Sequence, residues 1–202
     1  MTSNISQIEV HISLADGSVY RFEQREAELA REALRNLQPS KVFSESTLTV
    51  AGEYHTTTFP TSFVTRVELH MDEQPGWSFI LNLTDVIWIS EKRFRDKVKH
   101  ESGNQSLRRE QPRREGESFV GYDEVELVSG EFIYLEIHGI TGPRAVRARA
   151  VSRLLESPSL SARHEDGRWV IMNPRNILCL SSYPGPPDLP TNAVRARFKG
   201  IE

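Results

Sequence analysis

The sequence contains one cysteine, Cys179, among its 202 residues, which excludes an intrachain disulfide bond. Cys179 lies within an apolar run, so we expect a small buried side chain rather than a nucleophile. No apolar run approaches the length of a membrane span. The N-terminus has neither the positive flank nor the apolar core of a signal peptide. These absences predict a cytoplasmic protein that does not bind membranes.

The sequence also lacks the motifs that reveal catalytic or cofactor sites. Its formal net charge is −3, so the chain as a whole is not attracted to nucleic-acid phosphates. The segment Gly139–Gly142 has neither the glycine spacing nor the lysine of a phosphate-binding loop. The six histidines are scattered singly, without the spacing of a zinc site. We therefore predict no catalytic, cofactor-binding or metal-binding residues and no cofactor. Of the three functions considered for this chain, an enzyme with a site between two modules ranks third.

One phrase occurs twice, at residues 79–90 and 170–181: an apolar run, an Asn, a bend, an Asp or Asn, and a second apolar run. The pattern predicts strand, tight corner and strand, because an Asn side chain can accept a hydrogen bond from the backbone two residues on. A weaker third use spans residues 59–64. The residues predicted to act as structural turn residues are Asn82, Asp85, Asn173, Pro174 and Asn176.

The order of the other elements is similar in the two halves. The pair Asp16-Gly17 predicts a hairpin in the first half, and Ser129-Gly130 predicts one in the second. A helix with one apolar face is expected at about residues 25–37, and another at about residues 143–155. We predict a β-dominated α+β fold with two sequence-related modules, each a bent antiparallel sheet or small half-open barrel with one helix.

The domain boundaries follow from changes in composition. Module 1 is predicted to span residues 1–92 and module 2 residues 119–183. Residues 93–118 are rich in charged side chains and poor in apolar ones, which is typical of a mobile linker. Residues 184–202 form a proline-rich and basic tail.

The charged segment offers the one feature that suggests a ligand. Basic side chains with an interleaved aromatic can bind phosphates and stack on a base, although neighbouring carboxylates dilute their charge. The residues with this potential nucleic-acid contact are Lys92, Arg93, Phe94, Arg95, Lys97, Lys99, Arg108, Arg109, Arg113 and Arg114. Our first hypothesis is a non-enzymatic adaptor or regulatory protein that binds a protein partner or a second copy, and the second is a weak nucleic-acid-binding protein.

Overall fold

The computed structural model describes residues 5–52, 54–80, 82–102, 113–147, 149–185, 188, 193 and 194. Within these residues the chain is a β-dominated α+β fold, as the sequence predicts. None of the helices in this part of the chain has the length and apolar character needed to cross a membrane.

The strands and helices are numbered in chain order. The strands are β1 (Ile8–Leu14), β2 (Val19–Gln24), β3 (Thr47–Ala51), β4 (Thr56–Pro60), β5 (Val64–Met71), β6 (Leu83–Ile89), β7 (Ser118–Leu127), β8 (Phe132–Ile140), β9 (Leu160–His164), β10 (Trp169–Met172) and β11 (Ile177–Tyr183). The α-helices are α1 (Ala27–Asn36), α2 (Glu91–Ser102), α3 (Arg144–Arg147) and α4 (Ala150–Glu156). Short 3₁₀ turns at Thr61–Phe63 and Pro174–Asn176 precede β5 and β11.

Nine strands form one continuous sheet in the order β11-β7-β8-β6-β9-β10-β5-β1-β2, and β3 pairs with β4 in a separate two-stranded sheet. The large sheet is mixed, because β6 runs parallel to β9 whereas the other neighbours are antiparallel. At its centre, β6 from the first half lies between β8 and β9 from the second half, and β10 from the second half pairs with β5 from the first. The two halves are therefore joined in one sheet and do not form separate sheets.

Both faces of the sheet are covered by apolar cores, and β10 contributes to each. Trp169 and Ile171 point into the first core, which lies against α1. Val170 and Met172 point into the second core, formed with β7, β8 and β9. All four side chains are at most 2 % exposed, so this short strand is enclosed on both sides. Such a strand reads as a continuous apolar run rather than an alternating one.

The tight turns follow from local chemistry. The hairpin between β1 and β2 turns at Gly17, whose φ of +85° favours glycine. The carboxylate of Asp16 accepts from the backbone N–H of Ser18 and closes this turn. Gly130 has a φ of +80° in the equivalent hairpin between β7 and β8.

The helices differ in detail from the sequence prediction. Helix α1 buries Ala30 and Leu34 on one face, in agreement with its apolar periodicity. The helix expected at about residues 143–155 is divided into α3 and α4.

The first ten residues of the expected linker, 93–102, belong to helix α2, and residues 103–112 lie outside the described residues. This helix is docked through Phe94, which is 1 % exposed and packs with Ile89, Tyr122 and Tyr134 in a small third core. The aromatic side chain of Phe94 anchors α2 to the sheet. The sequence does not indicate this contact, because the segment contains few apolar residues.

Cys179 also differs from its expected environment. It lies in β11, the last strand on one side of the sheet, and is exposed. The apolar run around Cys179 does predict a strand, but a run of this kind does not indicate whether the strand is central or at an edge. The strand that is buried at the centre of the sheet is β10, not β11.

Candidate functional site

A dense set of interacting ionisable side chains lies where β1 and β5 pair. On β1, Glu9 and His11 alternate with residues that point into the first core. On β5, Arg66, Glu68 and His70 alternate with core residues in the same way. Because side chains of a strand alternate between its two faces, all five lie on the face opposite the first core. We call these five residues the charged face.

An ion-pair network stabilises the buried carboxylate of this face. Glu68 is 4 % exposed and accepts hydrogen bonds from Arg66 Nε at 2.8 Å and from the guanidinium of Arg168 at 2.6 Å. Arg66 also contacts Glu131 and lies over the ring of Trp88 at 5.3 Å from its centroid. Burial would raise the pKa of Glu68, but these two arginines outweigh burial and hold the pKa below its usual value.

A pair of histidines adjoins Glu68. The register between β1 and β5 places Glu9 opposite His70 and His11 opposite Glu68. The rings of His11 and His70 have centroids 4.3 Å apart, and the Nε2 atom of His11 lies 2.6 Å from a carboxylate oxygen of Glu9. The Nε2 atom of His70 is buried and has no hydrogen-bond partner in the described structure. Burial and the neighbouring positive charges lower the pKa of His70.

This cluster is not visible when the histidines of the sequence are considered singly. The sequence does contain a signal for it, because Glu9-Val10-His11 on β1 and Glu68-Leu69-His70 on β5 share a Glu-x-His pattern. In a strand, this spacing puts the carboxylate and the imidazole on one face. A third copy, Glu136-Ile137-His138, lies on β8, where the imidazole and the carboxylate are 2.9 Å apart.

Arg93, Phe94 and Arg95, three of the residues that the sequence connects with nucleic acid, are engaged within the protein. Arg93 donates to Glu136 and Glu165 at 2.9 and 2.6 Å. Arg95 pairs with Glu124 at 3.1 Å. Phe94 is buried and cannot stack on a base. These contacts hold α2 against the sheet and neutralise the two arginines that flank Phe94.

The other members of that segment are spread along the chain. Lys92, Lys97 and Lys99 are on exposed positions of α2. The guanidinium of Arg113 lies 5.0 Å from the ring centroid of Phe119. Arg114 is exposed and donates its backbone N–H to Glu117. Arg108 and Arg109 lie outside the described residues.

The predicted turn residues of the second repeat lie at the corner between β10 and β11. Asn173 is 1 % exposed, and its side-chain oxygen accepts from the N–H of Arg175. Its amide Nδ2 donates to the carbonyls of Thr61 and Val64, at the corner before β5. Asn176 donates to Val64 as well, and Pro174 begins the 3₁₀ turn. The two 3₁₀ corners are therefore bonded to each other.

The first repeat is arranged differently. Asn82 is exposed in a turn, and residues 77–80 before it form no strand. Its side-chain amide packs against Gly142, where a Cβ would lie only 2.6 Å from Nδ2. Asp85 lies inside β6 rather than in a turn, and it accepts from Arg163 Nε at 3.1 Å.

A second ionisable group is buried in the apolar core beneath β7. Asp123 is 6 % exposed and borders a cavity of about 30 Å³ lined mainly by apolar side chains such as Val125, Leu135 and Met172. Burial raises the pKa of Asp123 to about 6, and a hydrogen bond from Ser182 only partly opposes this effect. The cavity is large enough for about one water molecule, so it does not by itself indicate a ligand.

Asp123 should make stability depend on pH. Its pKa is about 6 in the folded state against 3.8 as the ordinary value, so the folded protein holds a proton there that the unfolded chain has released. The contribution of Asp123 is most favourable below about pH 4, declines as the pH rises to about 6, and stays low above that. Asp123→Asn should therefore raise the free energy of unfolding by about 2 kcal/mol more at pH 7.5 than at pH 4.5.

Urea denaturation of both proteins at pH 4.5 and pH 7.5 checks this expectation. The gain from Asp123→Asn should be larger at pH 7.5 than at pH 4.5. Asp72→Asn is the control, because it makes the same chemical change at an exposed position. An equal effect of Asp123→Asn at both pH values would contradict the raised pKa.

No protein-family model, curated protein or solved structure matches this chain. The surfaces of the molecule itself are the remaining indication of its function.

One such surface is the edge of the sheet at β2. This strand is hydrogen-bonded to β1 on one side, and no described strand pairs with its other side. Val19 and Tyr20 are 46 % and 44 % exposed there. Arg21 and Glu23 follow on the face that also carries Glu9 and His11. The edge thus combines apolar side chains with charges of both signs.

Proposed function

We propose that this protein is a non-enzymatic cytoplasmic interaction protein that binds a second copy of itself by strand addition at β2. The observation that supports the proposal is the outer side of β2, which has no pairing strand among the described residues and exposes Val19 and Tyr20. An open edge offers a row of backbone donors and acceptors to an incoming strand.

The charges of β2 favour a second copy as the partner. If two β2 strands pair antiparallel about Phe22, Arg21 of each copy faces Glu23 of the other, on one face of the joined sheet. Phe22 then meets its own counterpart on the opposite face. Opposite charges directly across two strands contribute roughly 0.2–1 kcal/mol per pair, and like charges are destabilising. The symmetry of the arrangement gives two such pairs, which fixes the register.

Charge reversal tests this pairing. We expect the wild-type protein to elute as a dimer in size-exclusion chromatography with light scattering. Arg21→Glu should shift it to the monomer, because both cross-strand pairs then become acidic with acidic. Glu23→Arg should do the same by making both pairs basic with basic. The double variant R21E/E23R should restore the dimer, since each pair again has opposite charges.

Arg35→Glu is the matched control, because it makes the same charge change at an exposed position of α1 away from β2. It should leave the dimer intact. A monomeric wild type at every concentration tested would overturn the proposal. A dimer that R21E leaves unchanged would place the contact on another surface.

We also propose that the two halves descend from one duplicated module. In the first half β1 lies between β2 and β5, and in the second half β7 lies between β8 and β11. The pairs β3 with β4 and β9 with β10 correspond as well. A 3₁₀ corner precedes the last strand of each set. In this correspondence the corner at Asn173 is equivalent to the corner at residues 59–64, which carries the weaker copy of the sequence pattern. The segment with Asn82 and β6 then has no equivalent in the second half and lies between the two sets of strands in the chain.

Nucleic-acid binding receives no comparable support. Counterion release requires basic side chains that are available to phosphates. Arg93 and Arg95 are paired with carboxylates of the sheet and of residue Glu165. We therefore expect binding to duplex or single-stranded DNA to be lost near physiological salt in a salt titration.

A further inference from the structure

We propose that His11, Glu68 and His70 bind a divalent transition-metal ion of the zinc class. The ligand atoms that these three side chains offer all lie within 4.8 Å of one another, and no other set of this kind is found in the described part of the chain. The proposal is independent of strand addition at β2. It concerns the charged face of β1 and β5, for which no role has been assigned above.

The strands provide the framework for such a site. His11 and Glu68 are directly opposite in the antiparallel register, and His70 is two residues beyond Glu68 on the same face. Zinc ligands lie about 2.0–2.2 Å from the ion, so the three ligand atoms must approach each other to somewhat over 3 Å. Rotation of side chains on a fixed sheet is sufficient for this movement, because their Cβ atoms are already neighbours.

His70 lacks a partner that a metal ion would provide. Its Nε2 atom is buried and makes no hydrogen bond within the described structure. A buried polar atom without a partner is destabilising and is rare in folded proteins. A neutral imidazole nitrogen carries the lone pair that a transition-metal ion accepts. The unpartnered atom therefore points to a ligand that belongs at this position.

Glu9 holds the second histidine in place. The Nε2 atom of His11 lies 2.6 Å from a carboxylate oxygen of Glu9. Histidine ligands of metal ions commonly have one ring nitrogen held by a carboxylate, which orients the ring and increases its basicity. The other ring nitrogen is then directed to the ion. Glu9 acts here as a positioning residue rather than as a ligand.

The arginines on Glu68 compete with the ion but do not exclude it. Each carboxylate has about four acceptor positions, of which Arg66 and Arg168 occupy two. Their positive charge is outweighed by the carboxylates around them, since Arg66 also pairs with Glu131 and Arg168 with Asp166. An ion-pair network that serves stability alone is the competing explanation. It requires Glu68 and accounts for the bond between His11 and Glu9, but it gives no role to the unpartnered Nε2 atom of His70.

The donor atoms select the class of ion. Two imidazole nitrogens and one carboxylate oxygen suit Zn²⁺, Cu²⁺ or Ni²⁺, whereas Mg²⁺ and Ca²⁺ prefer oxygen ligands alone. Three protein ligands leave a fourth position to water or to another molecule. We therefore choose Zn²⁺ as the probe for affinity and Co²⁺ as the probe for coordination.

Calorimetric titration of the untagged full chain with Zn²⁺ tests the site. We expect one equivalent to bind, and His70→Gln should weaken that equivalent by about 10- to 100-fold or more. His11→Gln should have the same effect. His138→Gln is the matched control, because His138 also lies two residues after a Glu on a strand of the large sheet but belongs to no ligand cluster. It should leave the affinity unchanged.

Co²⁺ gives a second measurement that a purely structural role would not affect. Binding at His11 and His70 should produce visible absorption bands of a low-coordinate Co²⁺ ion, and H70Q should abolish them. Circular dichroism of each variant establishes that it is folded before titration. The proposal is overturned if the wild type binds no Zn²⁺ equivalent, or if H11Q and H70Q bind Zn²⁺ as well as H138Q does.

Discussion

Replacing Asn173 with alanine should lower the free energy of unfolding by about 3 kcal/mol. The side chain makes three hydrogen bonds, one to its own turn and two to carbonyls of the corner before β5. A buried group left without its partner costs about 1–3 kcal/mol. The carbonyl of Thr61 loses its amide donor, while that of Val64 keeps the bond from Asn176. Urea denaturation monitored by tryptophan fluorescence measures the loss.

Two further variants identify the source of that loss. Asn173→Asp retains the oxygen that accepts from Arg175 but replaces the Nδ2 donor with a second acceptor facing two carbonyls. It should destabilise the protein at least as much as alanine does. Asn82→Ala, at the exposed Asn of the first repeat, should cost at most about 1 kcal/mol. If Asn173→Asp were as stable as wild type, the bonds between the two corners would have no energetic importance.

The hairpins and α1 show what the sequence can predict. Asp16-Gly17 supplies both the side-chain acceptor and the positive φ that the turn requires, so its structure follows from two adjacent residues. Helix α1 has apolar residues at helical spacing, and that period also predicts its buried face. Such features depend on residues close in the chain. The fold class follows from many of them together.

The joining of the halves shows what the sequence cannot predict. Strand β10 is apolar throughout, and its partners β5 and β9 are set by contacts between segments distant in the chain. Alternation along a strand identifies its buried face but not its neighbours. The same limit applies to Cys179, because the apolar run of β11 is compatible with a central or an edge position.

The candidate site, too, can be predicted from the sequence only where it depends on residues close in the chain. Glu-x-His on a strand predicts that the two side chains share a face, and this is visible in the sequence for each copy. The pairing of His11 with His70 depends on the register of β1 with β5, which no local pattern specifies. The ion pairs of Arg93 depend on tertiary structure in the same way, because the carboxylates that face it come from β8 and from Glu165.

Phe94→Ala should lower the free energy of unfolding by about 4 kcal/mol, the largest effect that we predict. Phe94 is 1 % exposed, and its ring centroid lies 4.9 Å from that of Tyr134 and 5.8 Å from that of Tyr183. Truncation of a buried Phe to Ala typically costs 3–5 kcal/mol, because the transfer energy of the ring is lost and a cavity remains. Chemical denaturation measures this loss.

The same variant distinguishes a docked helix from a mobile strap. Val98 is the only other apolar residue of α2 that packs in this core, and it is partly buried, so little besides ion pairs would hold the helix after truncation. Trypsin should then cleave α2 at Arg93 and Arg95 much faster in Phe94→Ala than in the wild type, since local opening exposes those bonds. Lys97→Ala, on the exposed face of the same helix, should change neither stability nor cleavage at the arginines. Wild-type cleavage at Arg93 as fast as in the variant would show that α2 is not held against the sheet.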